Sequence, residues 1–205
     1  MKTPLFIITV LCFAVTGCTK SNDALNSKIA PSTSSPIPSV IDSYTKFTLK
    51  KGQHFADVNQ IKNVDIAEMK FSVLFDSSAV YTSIQPINQL DINKLYGFSD
   101  NKASHHQFSA RIGWRWSNNA LRLFAYVYNN GTVVSEEITS VAIGAETVCS
   151  IQITASEYIF TVNGQTQMLP RKSSTTTAMG YQLYPYFGGD EAAPHDITIR
   201  IKNLK

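Results

Sequence analysis

The sequence predicts an all-β domain over residues 44–205, built as a two-sheet antiparallel β-sandwich. Three observations predict it. From Tyr44 onward, short runs alternate apolar and polar residues, the period of a half-buried strand. No stretch keeps the 3.6-residue period of an amphipathic helix. The runs are bounded by Gly, Asn, Asp and Ser, and Asn163-Gly164 is a type I′ hairpin signal because both turn positions require positive φ. No repeat of about twenty to fifty residues is evident, which disfavours a propeller or solenoid.

At the N-terminus, Lys2 precedes an uncharged apolar run over residues 4–15, then Thr16, Gly17 and Cys18, with the next charge at Lys20. That order reads as a signal peptide over residues 1–17. The run is too short to span a bilayer, which needs ~20 helical residues. Val15-Thr16-Gly17-Cys18 resembles the lipobox of bacterial lipoproteins, which implies cleavage after Gly17 and acylation of Cys18, palmitate included. Each buried CH₂ of such an anchor contributes ~0.8 kcal/mol of membrane affinity. Thr19 stands where an Asp would resemble inner-membrane retention, so the bacterial outer membrane is the expected location, in either leaflet. Cys12 leaves with the signal and Cys18 carries lipid, so Cys149 has no disulfide partner. It shares strand parity with Ile151 and Ile153 and reads as a small buried hydrophobe. Residues 18–43 comprise the lipidated Cys and a Ser/Pro-rich linker without aromatics.

In the domain, strands are expected at 44–49, 69–75, 95–99, 107–116, 121–128, 133–138, 147–154, 158–162, 181–187 and 195–202. Asn118-Asn119 as a two-residue turn sets Trp116 opposite Leu121, Arg115 opposite Arg122, Trp114 opposite Leu123 and Arg111 opposite Tyr126. One face then collects Ile112, Trp114, Trp116, Leu121, Leu123, Ala125 and Val127, a packing face between sheets. The other collects His105, Gln107, Ser109, Arg111, Arg115, Arg122, Phe124, Tyr126 and Tyr128.

That second face is cationic and aromatic at once. Arg115 and Arg122, opposed across a strand pair, repel unless water or an anion intervenes. No Asp or Glu occurs between Asp100 and Glu136, so a neutralising carboxylate must come from another strand or from a ligand. Aromatic rings stack on the C–H faces of sugars and Arg forks pair with carboxylate or sulfate. Arg111, Arg115, Arg122, Phe124, Tyr126 and Tyr128 are therefore the expected ligand-binding set, suited to an acidic glycan. The alternative is a solvated sheet face whose long side chains lie on the sheet with their heads in water. The whole chain carries 18 Lys+Arg against 15 Asp+Glu, a net +3, too balanced for a nucleic-acid partner.

The strand pattern resembles the concanavalin A-like jelly rolls, a superfamily of lectins, glycan-binding modules, glycoside hydrolases and alginate-type lyases. The phrases Asp91-Ile92-Asn93-Lys94-Leu95-Tyr96-Gly97-Phe98-Ser99-Asp100, Gly113-Trp114-Arg115-Trp116 and Tyr184-Pro185-Tyr186-Phe187-Gly188-Gly189-Asp190-Glu191 also resemble surface lipoproteins of the Bacteroidota type. The second likeness carries no assigned activity.

Retaining glycosidases of that superfamily resemble one another in an E-x-D-x-E strand, which this chain lacks. Glu136 and Glu137 are adjacent and face opposite sides of a strand, so they cannot supply the ~5 Å carboxylate pair that retention needs. A lyase needs a Tyr or His to move a proton and an Arg, Gln or Asn to neutralise a uronate carboxyl. His105, Gln107, Arg111 and Tyr126 supply those types on one expected face, although the R-x-E-x-R, Q-[IV]-H and Y-x-K-x-G-x-Y strands of alginate-type lyases are missing. Asp190, Glu191 and Asp196 form a loop that could hold a structural calcium, or a turn in which Asp196 caps backbone N–H groups. Zinc at His105, His106 and His195 is disfavoured because strand neighbours point to opposite faces. No phosphate loop, Ser-His-Asp motif or dinucleotide fingerprint is present, and no cofactor is expected. The expected function is a membrane-anchored lipoprotein whose sandwich binds glycan at the cell envelope. A polysaccharide lyase acting on a uronate polymer, or a structural envelope protein with a protein partner, are the alternatives.

Overall fold

The alternating runs become strands whose apolar side chains all turn toward one interior. The computed structural model describes residues 43–205. In chain order the strands are β1 (Thr45–Leu49), β2 (Asn63–Ile66), β3 (Glu68–Phe75), β4 (Asn93–Ser99), β5 (Phe108–Ser117), β6 (Ala120–Asn129), β7 (Thr132–Val141), β8 (Thr147–Ile153), β9 (Glu157–Val162), β10 (Gln165–Pro170), β11 (Ala178–Leu183) and β12 (Ile197–Asn203). They make two six-stranded sheets, ordered β1-β12-β3-β8-β9-β10 and β2-β11-β4-β5-β6-β7. All of these pairings are antiparallel. The C-terminal strands β11 and β12 each slot between strands from early in the chain, the long-range closure of a jelly roll. Residues 1–42, with the expected signal peptide, Cys18 and all but the last residue of the linker, lie outside the described part.

The core lies between the sheets. β12 contributes Ile197, Ile199 and Ile201, β3 contributes Phe71, Val73 and Phe75, and β8 contributes Cys149 and Ile151. Facing them are Leu95, Phe98, Ile112, Trp114, Leu121, Leu123, Ala125 and Val127, each 0 % exposed. Burial pushes the Cys149 thiol far up, which suits a packing residue and not a nucleophile. The central hairpin takes the register that the Asn118-Asn119 turn implies, with Arg115 opposite Arg122 and Arg111 opposite Tyr126. Both turn asparagines have positive φ, as do Asn163 and Gly164.

One buried ion pair links the two sheets. Asp100, at the end of β4, accepts from Arg171 Nε at 2.8 Å and from the Tyr158 hydroxyl of β9 at 2.6 Å. Both charged side chains are fully buried. Burial works to raise the Asp100 pKa, but the bonds from Arg171 and Tyr158 outweigh it and hold the carboxyl below its ordinary range.

Three sequence expectations need correction. β2 and β10 were not expected, because each is a sheet edge that buries little: only Leu169 of β10 and no residue of β2 is fully buried. The strand expected to run to Phe187 ends at Leu183, and the chain beyond it makes only isolated bridges, Tyr186 with Phe55 and with Lys94. His105, His106 and Gln107 precede β5 in a turn, so the opposite-face rule does not apply to the histidines, whose rings lie 4.2 Å apart.

Candidate functional site

The outer face of the β2-to-β7 sheet carries the charged and aromatic residues, and small residues open its centre. Gly97, Ser99, Ser109 and Gly113 occupy outward positions on β4 and β5, paired Gly97–Arg111 and Ser99–Ser109. A Cβ on Gly97 would overlap the Ala110 carbonyl and sit 2.7 Å from Arg111 Cα and 2.8 Å from Arg111 Cγ. Glycine at this position lets the Arg111 stem lie across β4. A bulge between Lys94 and Tyr96 turns Lys94 outward opposite Gly113. Tyr186 pairs beside Lys94, with N···O distances of 2.8 and 2.9 Å, and Phe55 bridges to Tyr186. His54 stacks on the Tyr186 ring at 5.4 Å, and Phe55 meets its edge at 5.0 Å.

Two adjoining hollows result, of about 350 and 410 Å³, and both are lined by Phe55, His105, Arg111 and Tyr186. The first continues along Ile61, Leu183, Tyr184 and Pro185, with the amide side chains of Asn59, Gln60 and Gln182. The second adds Lys94, His106 and Tyr128. Among the described residues, no carboxylate lines either hollow.

Arg111 is the unusual group. It is only 6 % exposed, its Nε has no hydrogen-bond partner, and it forms no ion pair among the described residues. Its guanidinium carbon lies 6.0 Å from the Tyr126 ring centre. Burial lowers its pKa from the guanidinium's ordinary value, the usual sign of a cation taken from water without compensation. Lys94 Nζ lies 4.7 Å from the same ring and donates to the Ile92 carbonyl at 2.8 Å. Burial, and then the charge of Arg111, brings Lys94 down to about 8. His105 falls to about 4 through burial, Arg111 and His106, so its imidazole is neutral at pH 7. Its Nδ1 meets the Tyr181 hydroxyl at 2.9 Å. Burial, then Tyr128, pushes the Tyr126 hydroxyl well up.

The expected ligand set divides in two. Arg111 and Tyr128 line the hollows with His105, and Tyr126 lies buried beneath Lys94 and beside Arg111. Arg115, Arg122 and Phe124 lie farther along the same face, where the chain answers their charge itself. Arg115 sits 4.7 Å over the Phe124 ring and donates to the Leu90 carbonyl at 2.7 Å, while Arg122 pairs with Glu137 on β7 at 2.7 Å. Gln107 is exposed in its turn and lines neither hollow.

In the loop considered for calcium, Glu191 accepts from the backbone N–H of Ile84 and Gln85, both at 2.7 Å. Asp196 accepts from the N–H of Lys51 at 2.8 Å and pairs with Lys50, while Asp190 is exposed. His195 is held by the Ser78 carbonyl at 2.8 Å. No group of three or more His, Cys, Asp or Glu that could hold a metal occurs among the described residues.

Lys94, Phe55, Tyr181 and Tyr186 are absent from the set expected from sequence, where residues 181–186 stand out only as a loose echo of the Y-x-K-x-G-x-Y strand. Unbulged pairing of β4 with β5 would have turned Lys94 into the core, and nothing local in the sequence announces the bulge. Tyr186 and Phe55 reach the site through isolated bridges, which leave no alternating pattern.

No protein-family model matches the chain, and no curated protein matches it. Solved structures do resemble the domain. An alginate lyase, AlyC3, matches with a TM-score of 0.53 at 10% identity over 78% of this chain and 74% of that one. A glycoside hydrolase family 16 endo-glucanase from Bacteroides ovatus matches with a TM-score of 0.53 at 9% identity over 78% and 80%. A laminarinase catalytic domain from Thermotoga maritima matches with a TM-score of 0.51 at 9% identity over 79% and 78%. At such identities the likeness establishes the fold alone, a two-sheet antiparallel jelly roll.

Proposed function

We propose that this domain binds a polysaccharide carrying carboxylates in the groove over Arg111, and that a lipid on Cys18 holds it at the bacterial envelope. One observation carries the binding reading: among the described residues, a buried arginine without an ion pair floors two hollows that no acid lines. A carboxylate would complete its hydrogen bonds, and a charge-assisted pair in such a setting is roughly twice as strong as a neutral one. Phe55 and Tyr186 offer ring faces and edges to sugar C–H groups. The similar folds belong to an alginate lyase, an endo-glucanase and a laminarinase, proteins named for polysaccharides, which supports glycan as the ligand class. A glycan array read at two salt concentrations tests this. Retention of acidic polysaccharides that weakens with salt is expected, and no retention of any glycan refutes it.

A second reading is favoured by His105, Tyr181 and Arg111 lining the same hollow. On a uronate polymer, Arg111 would neutralise the carboxyl and neutral His105 would take the proton from the adjoining carbon. The C–H electrons would form a carbon–carbon double bond as the glycosidic oxygen leaves, protonated by a Tyr hydroxyl. Ultraviolet absorbance of the unsaturated product, without added cofactor, is its test. Binding without any rise in absorbance selects the first reading.

A further inference from the structure

The two hollows differ chemically in a way that glycan binding alone does not require. The second sets Lys94 and His106 beside the shared Arg111. The first brings no cation of its own, and walls the space with Ile61, Leu183 and Pro185 and with the amides of Asn59 and Gln60. Gly188 leaves room beside Lys94: a Cβ there would sit 2.5 Å from the Ile92 carbonyl oxygen that Lys94 bonds and 2.7 Å from Nζ.

Resting on the reading above, we infer that the groove takes a polymer in which an acidic sugar alternates with a neutral one. The acidic ring occupies the hollow with Lys94, its carboxylate on Arg111, and the neutral ring occupies the hollow with Ile61. A carboxylate in that hollow would face Ile61, Leu183 and Pro185 and find no cation beyond the Arg111 already engaged. A neutral ring loses little there, since its hydroxyl or acetamido groups meet the amides and its C–H face meets Phe55 and Leu183. This ranking opposes bulk electrostatics, by which the polymer of higher charge density would bind a cationic groove more tightly.

Calorimetric titration of the protein in about 0.15 M salt, where long-range charge is screened, separates these effects. The probes are oligosaccharides of equal length: a β-linked oligoglucuronate, an oligomer alternating glucuronate with N-acetylglucosamine, and a neutral β-glucan. The alternating oligomer is expected to bind about 10-fold more tightly than the oligoglucuronate, the factor set by one carboxylate left without a partner. Ile61 is 92 % exposed, so Ile61→Lys leaves the fold intact while adding a cation to the neutral hollow. That variant should erase the preference by strengthening oligoglucuronate binding. Oligoglucuronate binding the unaltered protein as tightly as the alternating oligomer overturns this inference and leaves acidic-glycan binding standing. Binding of neither acidic probe overturns both.

Discussion

Replacing Arg111 by Met should stabilise the protein while destroying its affinity for acidic glycan. The guanidinium is 6 % exposed, its Nε is unbonded, and its aromatic contact is the Tyr126 ring at 6.0 Å. A buried donor without a partner costs about 1–3 kcal/mol, more when charged, and the ring returns about 0.5–1 kcal/mol. Met keeps the apolar stem that crosses Gly97 and removes the charge, for a net gain of about 1–2 kcal/mol. For a domain of this size each kcal/mol moves Tm by about 2–4 °C, so Arg111→Met should melt about 2–8 °C higher. Thermal unfolding followed by circular dichroism reads the shift. The same variant should lose about 10-fold or more in affinity for an acidic oligosaccharide, the worth of one charge-assisted contact. A lower Tm would refute the reasoning, because it would make Arg111 a structural cation rather than one kept for an incoming anion.

Asp100→Asn should cost about 3–5 kcal/mol, read by urea titration, since it leaves the buried Arg171 without its counter-charge. Lys94, brought down to about 8, should make affinity for an acidic oligosaccharide fall as pH rises from 7 to 9, and Lys94→Met should flatten that profile. Between pH 8 and about 10.5 the unfolded chain holds a proton on Lys94 that the folded chain lacks, so this residue makes stability rise with pH in that window. Cys18→Ser should leave the fold unchanged and abolish incorporation of labelled palmitate, with mass spectrometry of the mature N-terminus as the check.

Much of the fold was legible because central strands bury one face completely. β8 and β12 alternate cleanly in burial, β5 alternates in sequence although both of its faces are largely covered, and Asn118-Asn119 fixes the central register through its positive φ values. β2 and β10 were illegible because an edge strand need not alternate in hydrophobicity when one of its sides faces water. The site was half legible. Parity placed Arg111, Tyr126 and Tyr128 on one face, and the acid-free stretch marked that face as short of counter-charge. Sequence could not separate Arg111 from Arg115 and Arg122, because Glu137 reaches Arg122 across the β6–β7 pair and Arg115 finds Phe124 and a backbone carbonyl. Nor could it place Lys94, Phe55 and Tyr186, which depend on a bulge and on isolated bridges between segments far apart in the chain.

On the proposed reading, an acidic sugar seats its carboxylate on Arg111. A crystal structure of the protein soaked with an oligosaccharide alternating glucuronate and N-acetylglucosamine tests it most directly. The carboxylate is expected within hydrogen-bond distance of the Arg111 guanidinium, with sugar rings against Phe55 and Tyr186. A sugar bound instead at Arg115 and Arg122, with the hollows over Arg111 empty, would contradict it.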